Sequence, residues 1–252
     1  MRSSVLAAVL TATAALGAPA ERAFGPGELA TYSVSYLGLP AGEAQIMVGN
    51  PTEQLGPHVW PIVCTARSTN LATTLRIRDK FVTWWDDKNM RTLGNELFAD
   101  EFHTRRHTSI QFGNPEGKAQ VTRRHEDQPV RESEWDVEEG TMDVAAAAMA
   151  LRNTPLALDK VVSFPVFTGN RNMVMRAKVV AKEKLDTALG EKEAWKLTVS
   201  SDFSGKLAGK KDMTLYLSAD KNQVPLKVDA EFLLGSVTME LVKYQQGMVV
   251  AR

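Results

Sequence analysis

Seven basic side chains fall in two short stretches, His103, Arg105, Arg106 and His107 in one and Arg123, Arg124 and His125 in the other. The stretches flank Gly113-Asn114-Pro115-Glu116-Gly117, so they read as a hairpin whose cross-strand neighbours build a positive patch. Such a patch suits an anionic envelope component. A wet sheet face balanced by Glu126, Asp127 and Glu132 is the plainer reading. His103 and His107 are four apart, which on a helix puts two imidazoles on one face. On the strand expected here they lie about 13 Å apart at the ~3.3 Å rise per residue. That is too far to chelate one zinc ion, and no HExxH order accompanies them.

Other reaction chemistries leave little trace. No G-x-S-x-G elbow occurs, and Ser204-Gly205 lacks the upstream glycine that one needs. Gly205-Lys206-Leu207-Ala208-Gly209-Lys210-Lys211 comes nearest to a phosphate loop, but its glycines are four apart and no Ser or Thr follows its lysines. It reads as a basic hairpin loop. Asp86-Asp87 and Glu138-Glu139 sit in turn-forming stretches, where solvation accounts for them. No catalytic residue, metal site or cofactor is expected.

The aromatic residues supply the other candidate surface. Trp84 and Trp85 are adjacent on a strand, so they point to opposite faces. Phe164, Val166 and Phe167, with Met173 and Met175, offer adaptable apolar surface. They fill a core, or they line a cavity for a greasy ligand. The candidate ligand-binding set is therefore Trp84, Trp85, Arg105, Arg123, Phe164 and Phe167. The arginines would meet an anionic headgroup and the aromatic side chains a tail. A side-chain-filled interior with no apolar opening of roughly 300 Å³ or more counts against this carrier reading.

These residues must be held by strands. Ala30 to Tyr36, Met173 to Lys182 and Val224 to Phe232 each alternate apolar with polar side chains, which gives one buried and one wet face. Turn chemistry at Gly38 to Gly42, Asp86 to Asn89, Gly169 to Asn172, Ala188 to Glu191 and Ala219 to Asn222 divides about ten or eleven hairpin-connected strands. One segment, Met142 to Arg152, changes to helical spacing. Thr141 stands as its N-cap, Asp143 lies in its first turn and Pro155 follows its end. A second short helix is expected over Asn70 to Arg76. Glu126 to Gly140 reads as a connection between two halves. The expected fold is all-β: a curved, mostly antiparallel sheet, partly closed as a barrel or half-barrel, with one packed helix.

Compartment comes from the other end of the chain. Met1-Arg2, the apolar run from Val5 to Leu16 and Ala18-Pro19-Ala20 have the layout of a secretory signal peptide cleaved after Ala20. The run is shorter than the ~20 residues that span a bilayer. Residues 21–252 then form one exported domain, periplasmic or secreted. The 30 basic and 30 acidic residues balance, so no global charge draws the chain to nucleic acid or to an anionic membrane. Cys64 has no second cysteine to pair with and does not stand at the signal-peptide exit. It reads as a buried, inert thiol in a strand.

Several segments in order resemble an exported bacterial family known as a domain of unknown function, DUF3108. They begin with Phe24-Gly25-Pro26-Gly27-Glu28-Leu29-Ala30-Thr31-Tyr32 and Tyr36-Leu37-Gly38-Leu39-Pro40-Ala41-Gly42-Glu43-Ala44. Ala66-Arg67-Ser68-Thr69-Asn70, Arg78-Asp79-Lys80-Phe81 and the helix from Asp143 to Arg152 follow. Leu215 to Asp220, Val224 to Val228 and Gly235 to Leu241 complete the resemblance. Tyr216 stands where the family tends to carry Trp, and Lys221 where it has an acidic residue. The resemblance implies an exported β-rich protein and supplies no activity or catalytic residue. The function expected from these readings is non-catalytic: a binding or carrier protein for a lipid or other amphipathic envelope molecule. Peripheral membrane contact is compatible with it. An envelope assembly partner and a carbohydrate-active hydrolase are the alternatives.

Overall fold

The computed structural model describes residues 21–52, 55–56, 58–69, 76–101, 104–113, 117–126, 128–201, 212–232 and 235–250. The signal-peptide reading, the short helix expected from Asn70, His103, the centre of the Gly113 to Gly117 turn and the Gly205 loop lie outside them.

Fourteen strands and one helix are described: β1 (Leu29–Tyr36), β2 (Leu39–Val48), β3 (Val59–Ser68), β4 (Ile77–Asp86), β5 (Arg91–Glu101), β6 (Thr104–Gly113), β7 (Lys118–His125), β8 (Arg131–Asp136), α1 (Val144–Arg152), β9 (Val161–Phe167), β10 (Asn172–Thr187), β11 (Gly190–Ser201), β12 (Met213–Ser218), β13 (Pro225–Phe232) and β14 (Gly235–Gln245). They form one sheet in the order β8-β7-β6-β5-β4-β3-β2-β1-β14-β13-β12-β11-β10-β9. Its pairings are antiparallel, including β1 with β14, which joins the first strand to the last. The sheet is curved but not closed. β8 and β9 remain edges, drawn near each other by the Met142–Val166 bridge and by Asn172 Nδ2, which donates to the Asp136 carbonyl at 2.8 Å. This is the expected antiparallel half-barrel.

More strands form than the turn signals foretold. β8 lies inside the acidic stretch that read as a connection. It is an edge strand carrying Glu132, Glu134 and Asp136, and charge on an edge blocks pairing with other chains. Sparse apolar content hid it.

Alternation of strand direction gives the half-barrel two unlike ends. The β1–β2, β5–β6, β7–β8 and β13–β14 connections share one end. The β4–β5 and β12–β13 turns, the segment before β1 and the tail after β14 share the other, and α1 closes it. Asp143 is the N-cap, two residues later than Thr141, because Met142 is held extended between the Pro165 carbonyl and the Phe167 N–H. Ala146, Ala147 and Ala150 are buried against Phe24, Trp60 and Trp85. Alanine at these positions lets the helix axis approach the aromatic residues closely. In the final hairpin Leu226 and Leu241 are core residues, and Val228, Val237 and Met239 are half-buried. The Phe232 side chain is not described.

Candidate functional sites: a rim groove and an internal cleft

Of at least five hollows among the described residues, two of different chemistry are the candidates. The first is a groove of about 540 Å³ at the end opposite α1, which is open among the described residues; the tips of β4 to β7 and the chain that leaves β7 form it. Register builds its lining. Lys80, Phe98, His107 and Arg124 are successive cross-strand partners on the outer face, and Arg78, Asp100 and Arg105 form the next row. Phe98 stacks on the His107 ring with centroids 4.3 Å apart, and Lys80 lies 5.9 Å from the Phe98 centroid. His107 Nε2 lies 3.0 Å from Glu96. Asp100 binds Arg76 at 2.7 Å and only loosely meets Arg105 at 4.0 Å, while Glu101 holds Arg106 at 2.6 Å. Among the described residues no ion pair engages Arg78 or Arg124. The groove therefore offers three lightly committed guanidinium groups beside an aromatic ring and the exposed Val130.

The second hollow is a cleft of about 160 Å³ between α1 and the inner face of β9 to β14. Val144, Ala147, Ala148 and Leu151 form its helical wall; Phe164, Met175, Met213, Val228 and Met239 lie on the sheet side. All of its lining residues are apolar. Val144 and Ala148 are exposed although they face this wall, so the cleft is open to solvent. Its volume is about half of the roughly 300 Å³ expected of an apolar opening in a carrier.

The six predicted ligand residues are not brought together. Arg105 lines the groove and Phe164 the cleft. Arg123 faces inward, where Nη2 donates to the Gly169 carbonyl. Trp85 is fully buried against Phe24, centroids 5.9 Å apart. Phe167 is core, packed on Phe112 at 6.4 Å and Trp135 at 5.7 Å. Trp84 takes the opposite face from Trp85, as adjacent strand residues must, and borders a separate depression with Glu96 and Gln111. Of the expected set only Arg105 and Phe164 thus line these two hollows, and they line different ones. Sequence reasoning passed over Phe98, whose only signal was its place opposite His107 in a register that sequence does not print.

The ends of α1 hold the buried polar groups. At its start Asp143 accepts from Ala146 N at 2.9 Å, Thr83 Oγ1 at 2.5 Å and Thr92 Oγ1 at 3.1 Å. Burial pushes its pKa up, against these three donors. At its end Arg152 meets both carboxylate oxygens of Glu28, at 2.6 and 3.1 Å, and donates to the Asn222 carbonyl at 3.0 Å. It also lies over the Phe24 ring at 5.3 Å. Burial opposes the Arg152 charge, but Glu28 outweighs it and holds the pKa above the ordinary value. Tyr244 donates to Glu28 at 3.1 Å. Asp86 and Asp87, expected to be solvated, are buried instead. Asp86 accepts from Asn89 and Arg91, and Asp87 from Arg22. Cys64 is half-buried, not fully buried as expected; desolvation, with the Asp143 charge second, pushes its thiol up to about 12, so it stays protonated at neutral pH. Among the described residues no group of three His, Cys, Asp or Glu side chains forms a metal site, and no helix is long and apolar enough to cross a membrane.

An open antiparallel half-barrel with a helix at one end defines a β-barrel-like domain. Residues 31–242 match the family model described as Protein of unknown function (DUF3108), and the chain belongs to that family. A β-barrel-like protein of the DUF1849 family from Brucella abortus has a similar structure, with a TM-score of 0.59 at 13% identity, covering 90% of this chain and 99% of that one. A hypothetical protein from Chlamydia trachomatis is more distant, with a TM-score of 0.37 at 8% identity over 88% of each chain. No curated protein matches the chain.

Proposed function

We propose that this is a non-catalytic extracytoplasmic protein that binds an amphipathic molecule of the cell envelope by its apolar end. The observation that carries this reading is the cleft: about 160 Å³, lined only by apolar side chains and open to solvent beside Val144 and Ala148. Leaving such surface wet forgoes about 25 cal/mol for each Å² that a ligand would cover. An apolar cavity of about 150 Å³ accepts a group the size of benzene. The ligand part that fits is therefore one ring or a short stretch of alkyl chain. Export rests on the signal-peptide layout of residues 1–20. The neighbouring carboxylates Asp79 and Glu101 share a hydrogen bond, and Arg106 binds Glu101. That closeness differs from the 5–10 Å separation that glycoside hydrolysis uses.

Native mass spectrometry of protein purified from its own envelope tests the reading. An amphiphile should co-purify with the wild type and be absent from Ala148→Trp, which fills the cleft from an exposed helix position. A ligand retained equally by both proteins, or absent from both, defeats it.

A further inference from the structure

The open end carries a strained apolar feature that neither hollow explains. Leu37 and Gly38 form the two-residue turn between β1 and β2, and both have positive φ, 51° and 78°. That turn favours Asn-Gly, because a branched side chain at positive φ meets its own backbone. Leucine stands there instead and is 60% exposed, with Leu39 beside it at 70%. The turn is held in place by Leu37 N, which donates to the Ser236 carbonyl at 2.9 Å. Leu37 alone of the two has positive φ; its Cδ2 lies beside Gly235, yet most of its side chain, like that of Leu39, stays in water. A strained backbone that presents an apolar side chain to solvent is a pointer to use.

The same end bears the rim groove. β2 and β6 are four strands apart in the sheet, so the leucine tip and Arg105 are separated by roughly 20 Å of sheet at ~4.8 Å per strand. Arg78, Arg105 and Arg124 there face outward with Phe98 and Val130 between them, against the carboxylates of Asp100, Glu101 and Glu126. Asp100 and Glu101 are engaged by Arg76 and Arg106. Exposed leucines combined with arginines and an aromatic ring are the composition that settles into a bilayer interface, apolar parts among the acyl chains and guanidinium groups on lipid phosphates.

We propose that the open end of the half-barrel docks on an anionic bilayer surface, with the Leu37–Leu39 tip entering the acyl region and the Arg78, Arg105 and Arg124 groove taking lipid phosphate. The closed end, sealed by α1, then points away from the membrane. This goes beyond the cleft reading, since it concerns outer-face and turn residues that do not line the cleft.

Vesicle flotation with the purified mature chain tests it. The wild type should float with vesicles of phosphatidylglycerol and phosphatidylcholine at low salt, float much less with phosphatidylcholine alone, and lose binding as salt rises. Arg78→Gln/Arg105→Gln/Arg124→Gln should weaken binding on the order of a hundredfold. Leu37→Asn should weaken it roughly tenfold while holding or raising the melting temperature, because asparagine suits that turn. Loss of vesicle binding in that variant is therefore not loss of fold. Ala148→Trp should float like the wild type, which separates this proposal from the cleft. Equal flotation of wild type and both groove and tip variants would overturn it, as would wild-type protein that ignores anionic vesicles. Binding of glycerol phosphate in solution without any vesicle binding would also overturn it, leaving a soluble phosphate ester as the ligand of the groove.

Discussion

The two ends of the half-barrel treat charge in opposite ways. At the closed end the charges are buried and matched. Glu28 and Arg152 each expose 2% of their side chains and share two short contacts, with Tyr244, Asn222 and Phe24 around them. At the open end Arg105 exposes 69% of its side chain and meets Asp100 only at 4.0 Å. Matched charges fix a structure, because each is costly to leave alone. Loosely held charges leave the fold nearly unchanged when altered, and so are free to serve a ligand. The difference sets an end whose buried charges are matched against an end whose charges are loosely held.

Breaking the closed end should therefore give the largest effect. Arg152→Met strands a buried carboxylate and should cost about 3–5 kcal/mol in chemical denaturation. Adding Glu28→Gln should recover part of that loss, because the stranded charge is gone. If Arg152→Met costs no more than the Arg78, Arg105 and Arg124 triple change, the contrast between the ends fails. Asp143→Ala should come next, at about 2 kcal/mol. It removes the cap of α1 and leaves the Thr83 and Thr92 hydroxyls short of a buried partner. A loss of only a few tenths would mean that the helix is held by its alanine face alone.

Much of the fold was legible in the sequence but little of this contrast, and the limits follow from physics. Alternation in β1, β10 and β13 marked strands because one face is wet and the other dry. β8 escaped because a charged edge strand buries almost nothing. The helix was found from Val144, Ala148 and Leu151, but its cap was misplaced at Thr141, since the Met142 bridge to Val166 is a long-range pairing. The basic stretches were read correctly as a hairpin, with Arg106 opposite His125 and His107 opposite Arg124. Which arginine faces outward was not readable, because a one-residue shift in register exchanges Arg123 for Arg124. Arg123 turned out to bind the Gly169 carbonyl inside. The Glu28–Arg152 pair, 124 residues apart, left no local sign.

A smaller effect lies where the two kinds of charge meet. Asp79 sits near the open end, half-buried, and its carboxyl is pushed from an ordinary 3.8 up to about 6, first by burial and then by the hydrogen bond and charge of Glu101. Arg106 and the Asp100 N–H pull the other way. Between these values the folded protein keeps a proton that the unfolded chain has released. The stabilising contribution is thus full below about pH 4 and is lost as pH rises through about 6. Solvent screening of a half-buried group limits its size to on the order of 1 kcal/mol. Asp79→Asn removes the titration while keeping an acceptor for the Asp100 N–H. It should raise stability by about that amount near pH 7.5 and leave it unchanged near pH 4. Paired melting curves at the two pH values check this. A gain that is larger at the acidic value would show that Asp79 is held charged in the fold, as the matched carboxylates of the closed end are.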